Sequence, residues 1–523
     1  MLNAQLKAAV GTIQASETHQ TLKGFGASVA WYGNWITSHP NKETIYCYMF
    51  EELGLDILRL RNSYRGNPSN FATDTQEIVS QFYNYAVSTP QILMSSWSPP
   101  ANLKSNGSTE NGGTLIKIDD DYAYQDFAYY WIDALNAYDG MGVIPDYISI
   151  QNEPSFVASW ESCVLNDHET TILAGYDHAL QAVCDALQTL DDPPMLIGPE
   201  VLGIGYSLFQ KYANRLNHDC LDGYAYHLYH GGDGNVNPDL FIPNLNAIAS
   251  RYSDKPIFQT EYDYGGWFNT AWLMHNCLVH GNVSAYFYWG LIWENSGLVA
   301  VENPWSQGSW QSDQGFIIDH DYYAFWHYSK FLYSGYQRVT AYTDDDDIRL
   351  SSYINPVKSE LVSVVLNVGQ TDQSLTFDVR SFAPAGGEIF RTSETELGEF
   401  IDSFDGSKSI NVPARSISTI IMSGSLGSVS RETDPLTSKL QLTHFPNPFN
   451  STTQIRYHVP VACDVKVIVY DLRGREVFSL ADEYQSAGSH AVEFSGQDLP
   501  SGTYLTRIEA GPQSVTKRMI LLK

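Results

Sequence analysis

Tyr147-Ile-Ser-Ile-Gln-Asn-Glu-Pro154 begins as a short apolar run of β-favouring residues and ends in amide, amide, carboxylate and proline. A buried strand reads this way when its last residues open onto a working face. The same form returns at Pro256-Ile-Phe-Gln-Thr-Glu-Tyr-Asp263. Two such runs therefore close on a glutamate, Glu153 in one and Glu261 in the other.

Working outward, strand-like runs recur at Gly24–Ser28, 57–64, 92–98, 147–153, 195–202, 221–229, 256–262 and 285–293. Between them, Asp121–Tyr138 and His168–Leu187 carry apolar residues at three- and four-residue steps, the period of an amphipathic helix. Asp167 is placed to cap the second. Eight alternating units predict an α/β fold, a (β/α)8 TIM barrel over 21–334. A doubly wound open sheet fits less well, because no GxGxxG turn follows an early strand.

Beyond residue 334 the helical period is lost. Short alternating runs (Arg349–Tyr353, Leu361–Val368, Ser374–Val379, Gly387–Phe390, Ile417–Met422) predict a β-sandwich side domain over 335–425. Residues 1–20 alternate weakly and are expected to add N-terminal strands to it. Asp344–Asp347 reads as a solvated turn, with a cation site as the alternative. Residues 426–442 are rich in Ser, Thr and Gly, as linkers are. From 443 to 523, runs at Gln454–His458, Asp464–Asp471, His490–Phe494 and Gly502–Ile508 predict a C-terminal all-β, immunoglobulin-like domain.

The chain of 523 residues is too long for one ordinary domain, and 43% hydrophobic content is ample for large cores. Its 12 Trp and 34 Tyr leave rings over for flat sugar-binding platforms. A net charge of −29 argues against nucleic acid and anionic membranes as partners. No apolar run reaches transmembrane length, so no membrane insertion is expected. The six cysteines are scattered, with no CxxC or Cys/His cluster; buried thiols with at most one bridged pair are expected, and no metal or other cofactor. Met1-Leu-Asn-Ala-Gln5 reads as a start placed on a mature protein, with its leader peptide removed.

In a (β/α)8 barrel the active site lies at the C-terminal strand ends, and Glu153 and Glu261 fall at the fourth and seventh. Two carboxyls facing across a mouth are what glycoside cleavage requires: one protonated to help the leaving oxygen depart, one ionised to attack or to activate water. Their environments must separate their pKa values. Asn152 can donate to a sugar 2-hydroxyl. Arg59 on the second strand and Tyr229 on the sixth are placed to keep Glu261 ionised. Glu161, Glu200 and Asp263 also lie near strand ends, where each could shape a subsite or tune a pKa. His227 and His230 are near the mouth without a third ligand at metal spacing.

Ser149-Ile-Gln-Asn-Glu-Pro154 with Trp160-Glu-Ser-Cys163 resembles glycoside hydrolase family 30, xylanase branch. So do Gly24-Phe-Gly-Ala-Ser28, Trp97-Ser-Pro-Pro100, Gly198-Pro-Glu200, His227-Leu-Tyr229 and Thr260-Glu-Tyr262. The resemblance implies retaining double displacement with Glu153 as acid/base and Glu261 as nucleophile. It also implies that Trp97 and Trp289 stack on xylose rings. Members of this branch that need a glucuronic acid side group place an arginine just after the eighth strand. Here that segment reads Tyr288-Trp-Gly-Leu-Ile-Trp-Glu-Asn-Ser-Gly297, with Trp293 and Glu294 in the neighbourhood.

At the other end, Phe445-Pro-Asn-Pro-Phe-Asn450, Val469-Tyr-Asp471, Leu499-Pro-Ser-Gly-Thr-Tyr504 and Lys517-Arg-Met-Ile-Leu-Leu-Lys523 resemble the sorting domain of the type IX secretion system. The expectation is therefore a secreted or cell-surface, monomeric endo-β-1,4-xylanase. Its partners would be xylan or xylo-oligosaccharides and the secretion machinery. Exo-acting xylobiohydrolase, β-1,6-glycanase or β-glucosidase-like activity are alternatives within the family. A non-catalytic carbohydrate-binding protein is the alternative outside it.

Overall fold

The computed structural model describes residues 7–65, 71–232, 237–263, 265–294, 296–404, 409–426, 440–445, 447–485 and 488–523. The chain divides into two compact units, Met1–Gly427 and Ser428–Lys523.

Eight parallel strands close into a barrel in the first unit: β1 (Gly24–Val29), β2 (Ile57–Arg61), β3 (Gln91–Ser95), β4 (Tyr147–Ser149), β5 (Met195–Val201), β6 (Gly223–His227), β7 (Ile257–Glu261) and β8 (Val283–Gly290). Each pairs with its neighbour in sequence, and β8 closes on β1 with Ala285 opposite Gly24. Helices such as Phe71–Tyr85, Tyr124–Asp139, Tyr176–Leu187, Ile242–Arg251 and Gly266–Val279 return the chain between strands.

Ile57, Leu93, Tyr147, Ile197, Ala225, Phe258, Ala285 and Phe287 fill the barrel as one buried apolar cluster. Side chains two residues apart on a strand share a face. The next inward layer therefore holds Arg59, Ser95, Ser149 and His227, all fully buried. A polar floor lies directly on an apolar plug.

Two details differ from the sequence reading. β4 stops at Ser149, and Glu153, expected at its end, lies beyond it with a left-handed backbone (φ 46°). Asp167 caps no helix: the helix begins at Tyr176 with Gly175 at its cap. Its buried carboxylate instead takes Lys211 at 2.9 Å and His168 at 2.9 Å, and that demand holds 167–175 in an irregular path.

Lys7–Thr21 joins a nine-stranded sheet, antiparallel to Gln337–Thr343 and parallel to Gln373–Arg380. The sheet curls on itself. Phe377 and Phe404, on strands near opposite ends of the hydrogen-bonded order, meet edge to face at 5.6 Å within one core. Buried His327, on helix His320–Ser329, fastens this sheet to the barrel through Thr419 (2.8 Å) and Thr392 (2.9 Å). Asp344–Asp347 is a turn whose Asp345 carboxylate pairs with Lys7, so an ammonium stands where a bound cation was the alternative.

The second unit holds a three-stranded sheet (Gln441–Phe445, Thr452–Val459, Gly488–Ser495) and a four-stranded one (Cys463–Asp471, Glu476–Gln485, Gly502–Ala510, Gln513–Leu521). Val465, Val467 and Val469 alternate into their common core with Ile455, Phe494 and Ile508. The Tyr504 hydroxyl donates back to the Pro500 carbonyl at 2.8 Å, a corner lock of immunoglobulin-like sandwiches. Of the expected linker at 426–442, residues 427–439 lie outside the described residues.

A disulfide joins Cys184, on helix Tyr176–Leu187, to Cys220 just before β6, closing a separation of 36 residues. Restricting the unfolded chain over such a loop contributes at most about 4 kcal/mol. Cys184→Ser with Cys220→Ser is expected to lower the denaturant midpoint of the barrel accordingly, and an unchanged midpoint would contradict this.

Candidate active site

The residues above the polar floor are re-aimed by irregular strand ends. Pairing slips between Pro199 and Val201 on β5 and between Gln259 and Glu261 on β7. Such bulges at a barrel rim turn the following side chain. Glu200 also takes a left-handed backbone (φ 52°), a conformation unfavourable for a glutamate and common where a site is held in shape. The Glu153 amide donates to the Glu200 carbonyl at 3.0 Å, joining the two strained positions.

Arg59 stands at the centre, fully buried. Its Nη1 donates to Glu261 Oε2 at 2.7 Å. Its Nη2 donates to Asn152 Oδ1 at 2.7 Å and Glu200 Oε1 at 3.0 Å. Trp97 lies against the guanidinium, 4.7 Å from ring centre to Cζ. The Tyr229 hydroxyl donates to the other Glu261 oxygen at 3.1 Å. Glycine is required at 203 in the loop after β5, because an added Cβ would fall 1.4 Å from the Tyr229 carbonyl oxygen.

On the opposite side, His227 Nδ1 lies 2.9 Å from Glu153 Oε1. His227 also stands 3.8 Å from Glu261 through Nδ1 and 3.8 Å from Glu200 through Nε2. Burial disfavours charge on this ring. The Glu261 charge, the hydrogen bond to Glu153 and the nearby Glu200 carboxylate outweigh burial and push it up to about 9, so it is an imidazolium at neutral pH. Burial would raise Glu200, yet the Arg59 charge, then His227 and Ser149, bring it down to about 2. Burial raises Glu261 above the ordinary carboxylate value against the pull of His227 and Arg59, with the Glu153 charge adding to the rise.

Glu153, His227 and Glu261 each present one ligating atom within 4.8 Å of one another, so the fold sets two carboxylates beside His227 where the sequence showed no third ligand at metal spacing. Arg59 already supplies positive charge there, its Nη1 donating to Glu261 Oε2. The arrangement is an acid–base cluster.

Around it, Trp97 meets Trp31 (6.2 Å) and Trp289 (5.9 Å), Trp289 meets Trp293 (6.1 Å), and Trp293 meets Tyr32 (5.1 Å). These rings make an aromatic wall from the end of β8 and the segments after β1, β3 and β8. The structure thus gathers Arg59, Trp97, Asn152, Glu153, Tyr229, Glu261, Trp289 and Trp293. Glu294 is not brought to the cluster; it is exposed on the short strand Ile292–Glu294.

Of the other carboxylates, Glu161 pairs with Arg61 at 2.9 Å. Burial, then Asp321, raises Asp263 to about 6. Glu200 is too deep for any ligand. Three participants escaped the sequence reading: the bridging position of His227, the anchoring position of Glu200, and Trp31. The two-residue step from Ala225 to His227 was the available signal for the first.

Residues 76–170 match the family model for the glycosyl hydrolase family 30 TIM-barrel domain, and residues 443–522 that for the secretion system C-terminal sorting domain. Both resemblances read from the sequence are borne out. The chain is similar to glucuronoxylanase XynC of Bacillus subtilis (strain 168), 22% identical over 430 residues that cover 79% of this chain and 91% of the relative. Among solved structures it is similar to the subfamily 8 xylanase Xyn30A of Clostridium acetobutylicum, with a TM-score of 0.62, 22% identity and coverage of 79% and 99%. It is also similar to the endo-β1,6-glucanase BT3312, with a TM-score of 0.59, 17% identity and coverage of 79% and 94%. The chain thus carries matches to a glycosyl hydrolase barrel domain and to a secretion sorting domain. No helix among the described residues is long and apolar enough to cross a membrane.

Arg59→Met would leave two buried carboxylates without their cation. Breaking a buried pair from one side costs about 3–5 kcal/mol. Arg59→Lys, with a point charge instead of a fork, is expected to lose less. Denaturant titration reads both, and equal stability of Arg59→Met and the parent would refute the ordering.

Proposed function

We propose that this family 30 glycoside hydrolase is a secreted, retaining endo-β-1,4-xylanase that does not depend on glucuronate side groups. One observation carries the mechanistic part. One carboxyl oxygen of Glu153 and one of Glu261 lie within 4.8 Å, which supports the separation of about 5–5.5 Å between carboxyl groups used for double displacement over the roughly 6.5–9.5 Å that leaves room for an attacking water.

In the first step Glu153 gives its proton to the departing glycosidic oxygen while Glu261 attacks the anomeric carbon, forming a glycosyl ester. In the second, Glu153 takes a proton from water, whose oxygen displaces Glu261 and restores both groups. Arg59 and Tyr229 donate to both Glu261 oxygens and so favour its ionised form. The Asn152 carbonyl oxygen is committed to Arg59, which leaves its NH2 as the group to meet a sugar 2-hydroxyl. Trp97, Trp289 and Trp293 offer faces for sugar rings.

The choice of xylan draws on the named activities of the Bacillus and Clostridium relatives. The independence from glucuronate rests on the segment 288–297, which has no arginine to form a bidentate pair with a uronate. The sorting tail supports export by the type IX route with release or attachment at the cell surface. A β-1,6-glycanase is the second reading, favoured by the similarity to BT3312 over 94% of its length.

Glu153→Ala and Glu261→Ala should each lower turnover by at least about a hundred-fold with the fold retained, as loss of an acid or nucleophile does. Unchanged turnover with intact circular dichroism would refute the assignment, and absence of any turnover in the parent protein would favour a binding protein. A product profile on glucuronoxylan, undecorated xylan and β-1,6-glucan tests the substrate. The expectation is mixed xylo-oligosaccharides from both xylans. Cuts at a fixed distance from glucuronate, xylobiose alone, or action only on β-1,6-glucan would each overturn it.

A further inference from the structure

Glu200 is a buried carboxylate that the mechanism above does not use. It is completely shielded from solvent, so no sugar reaches it. Yet it is joined to each reacting carboxyl through one cation. Along one line, Glu200 Oε1 accepts from Arg59 Nη2 at 3.0 Å, and Arg59 Nη1 donates to Glu261. Along the other, His227 faces Glu200 with Nε2 at 3.8 Å and Glu153 with Nδ1 at 2.9 Å. The left-handed backbone at Glu200 keeps the carboxylate between the two cations.

We propose that Glu200 is a positioning residue that decides which carboxyl of the mouth carries the proton, acting through Arg59 and His227 without touching substrate. The inference rests on the acid and nucleophile roles given to Glu153 and Glu261.

The groups facing Glu200 are Arg59 from β2, Ser95 (3.1 Å) from β3, Ser149 from β4, His227 from β6 and Tyr176 from the helix Tyr176–Leu187. Two are cations and the rest are neutral, because its own charge and burial keep the Tyr176 phenol far above neutrality. Counting the whole cluster, three carboxyls face two cations. Three carboxylates would leave one negative charge in excess over Arg59 and His227, so the site is neutral only while one carboxyl of the mouth keeps a proton.

Geometry selects Glu153 as that carboxyl. Both Glu261 oxygens accept a donor, whereas Glu153 shares one oxygen with His227 and has the other left to carry hydrogen. Without the Glu200 charge, two cations would face two carboxyls, and the neutral state would have both ionised. The general acid would be lost. Charge stored out of reach of substrate thus maintains the acid.

The test is Glu200→Gln, which keeps the shape and removes the charge. Lowering the pKa of Glu153 moves the basic limb of the kcat/KM profile to lower pH. Lowering that of Glu261 moves the acid limb the same way. A shift of both limbs by about one pH unit is expected, with about a tenfold loss on xylan at neutral pH. An aryl xyloside whose leaving group departs without a proton should lose much less in its glycosylation step. A uniform loss at every pH and for both leaving groups, or no loss, overturns the inference.

Glu153→Ala on the same two substrates tests the parent reading separately: if it fails to discriminate between leaving groups, the acid assignment itself is wrong. Should Glu200→Gln not fold, nitrogen NMR of His227 in the intact protein decides. An imidazolium at neutral pH is expected, and a neutral ring overturns the proposal.

Discussion

Arg59 is the group on which the mouth of the barrel depends. A guanidinium with no solvent contact is tolerable only if its donors are satisfied by charge-matched partners, and a planar fork can satisfy several at once. It binds Glu261, Asn152 and Glu200, which arrive from β7, the end of β4 and β5. None of these carboxylates could remain ionised at this depth without it. The ion network and the closed sheet therefore support one another: the barrel brings the partners together, and the pairing makes their burial possible.

The sequence revealed the barrel because its signal is repeated. Eight β-type runs separated by helical periods leave few alternatives, and each run independently points to a buried strand. Glu153, Glu261, Arg59 and Tyr229 were legible for the same reason, since a strand end names a position on the mouth. What sequence did not reveal depends on departures from regular geometry. Alternation along β5 puts Glu200 on the face opposite Ile197, and only a bulge with a left-handed residue returns it to the interior. His227 was placed near the mouth, but its bridging position was not legible because its partners Glu153 and Glu261 come from strands far away in the chain. Asp167 was misjudged by a local rule, since a partner beyond the helix, Lys211, claimed its carboxylate.

The overall charge and the local charge follow different rules. A net −29 is carried by side chains that water and salt screen, and it bears on solubility and on which partners are repelled. Inside the mouth, screening is weak, so a single proton governs the balance among five ionisable groups. Burial alone would raise every carboxyl there. Glu200 nevertheless falls to about 2 because Arg59 is beside it, while Glu261, which shares the same arginine with His227 and Glu153 nearby, is raised. Similar side chains diverge because their neighbours differ.

The layering of the barrel explains why such a network can sit where it does. The apolar plug from Ile57 to Phe287 excludes water from below, and the ring wall of Trp31, Trp97, Trp289 and Trp293 limits it from the side. Access remains from above, where Glu153 and Glu261 keep the only slight exposure in the cluster, 11% and 8% of their side chains, against none for Arg59, Glu200 and His227. Depth therefore sorts the charged groups by task. The two that must meet a sugar stand at the surface of the network, and the three that hold them in the right ionisation states stand beneath, where no substrate can disturb the balance.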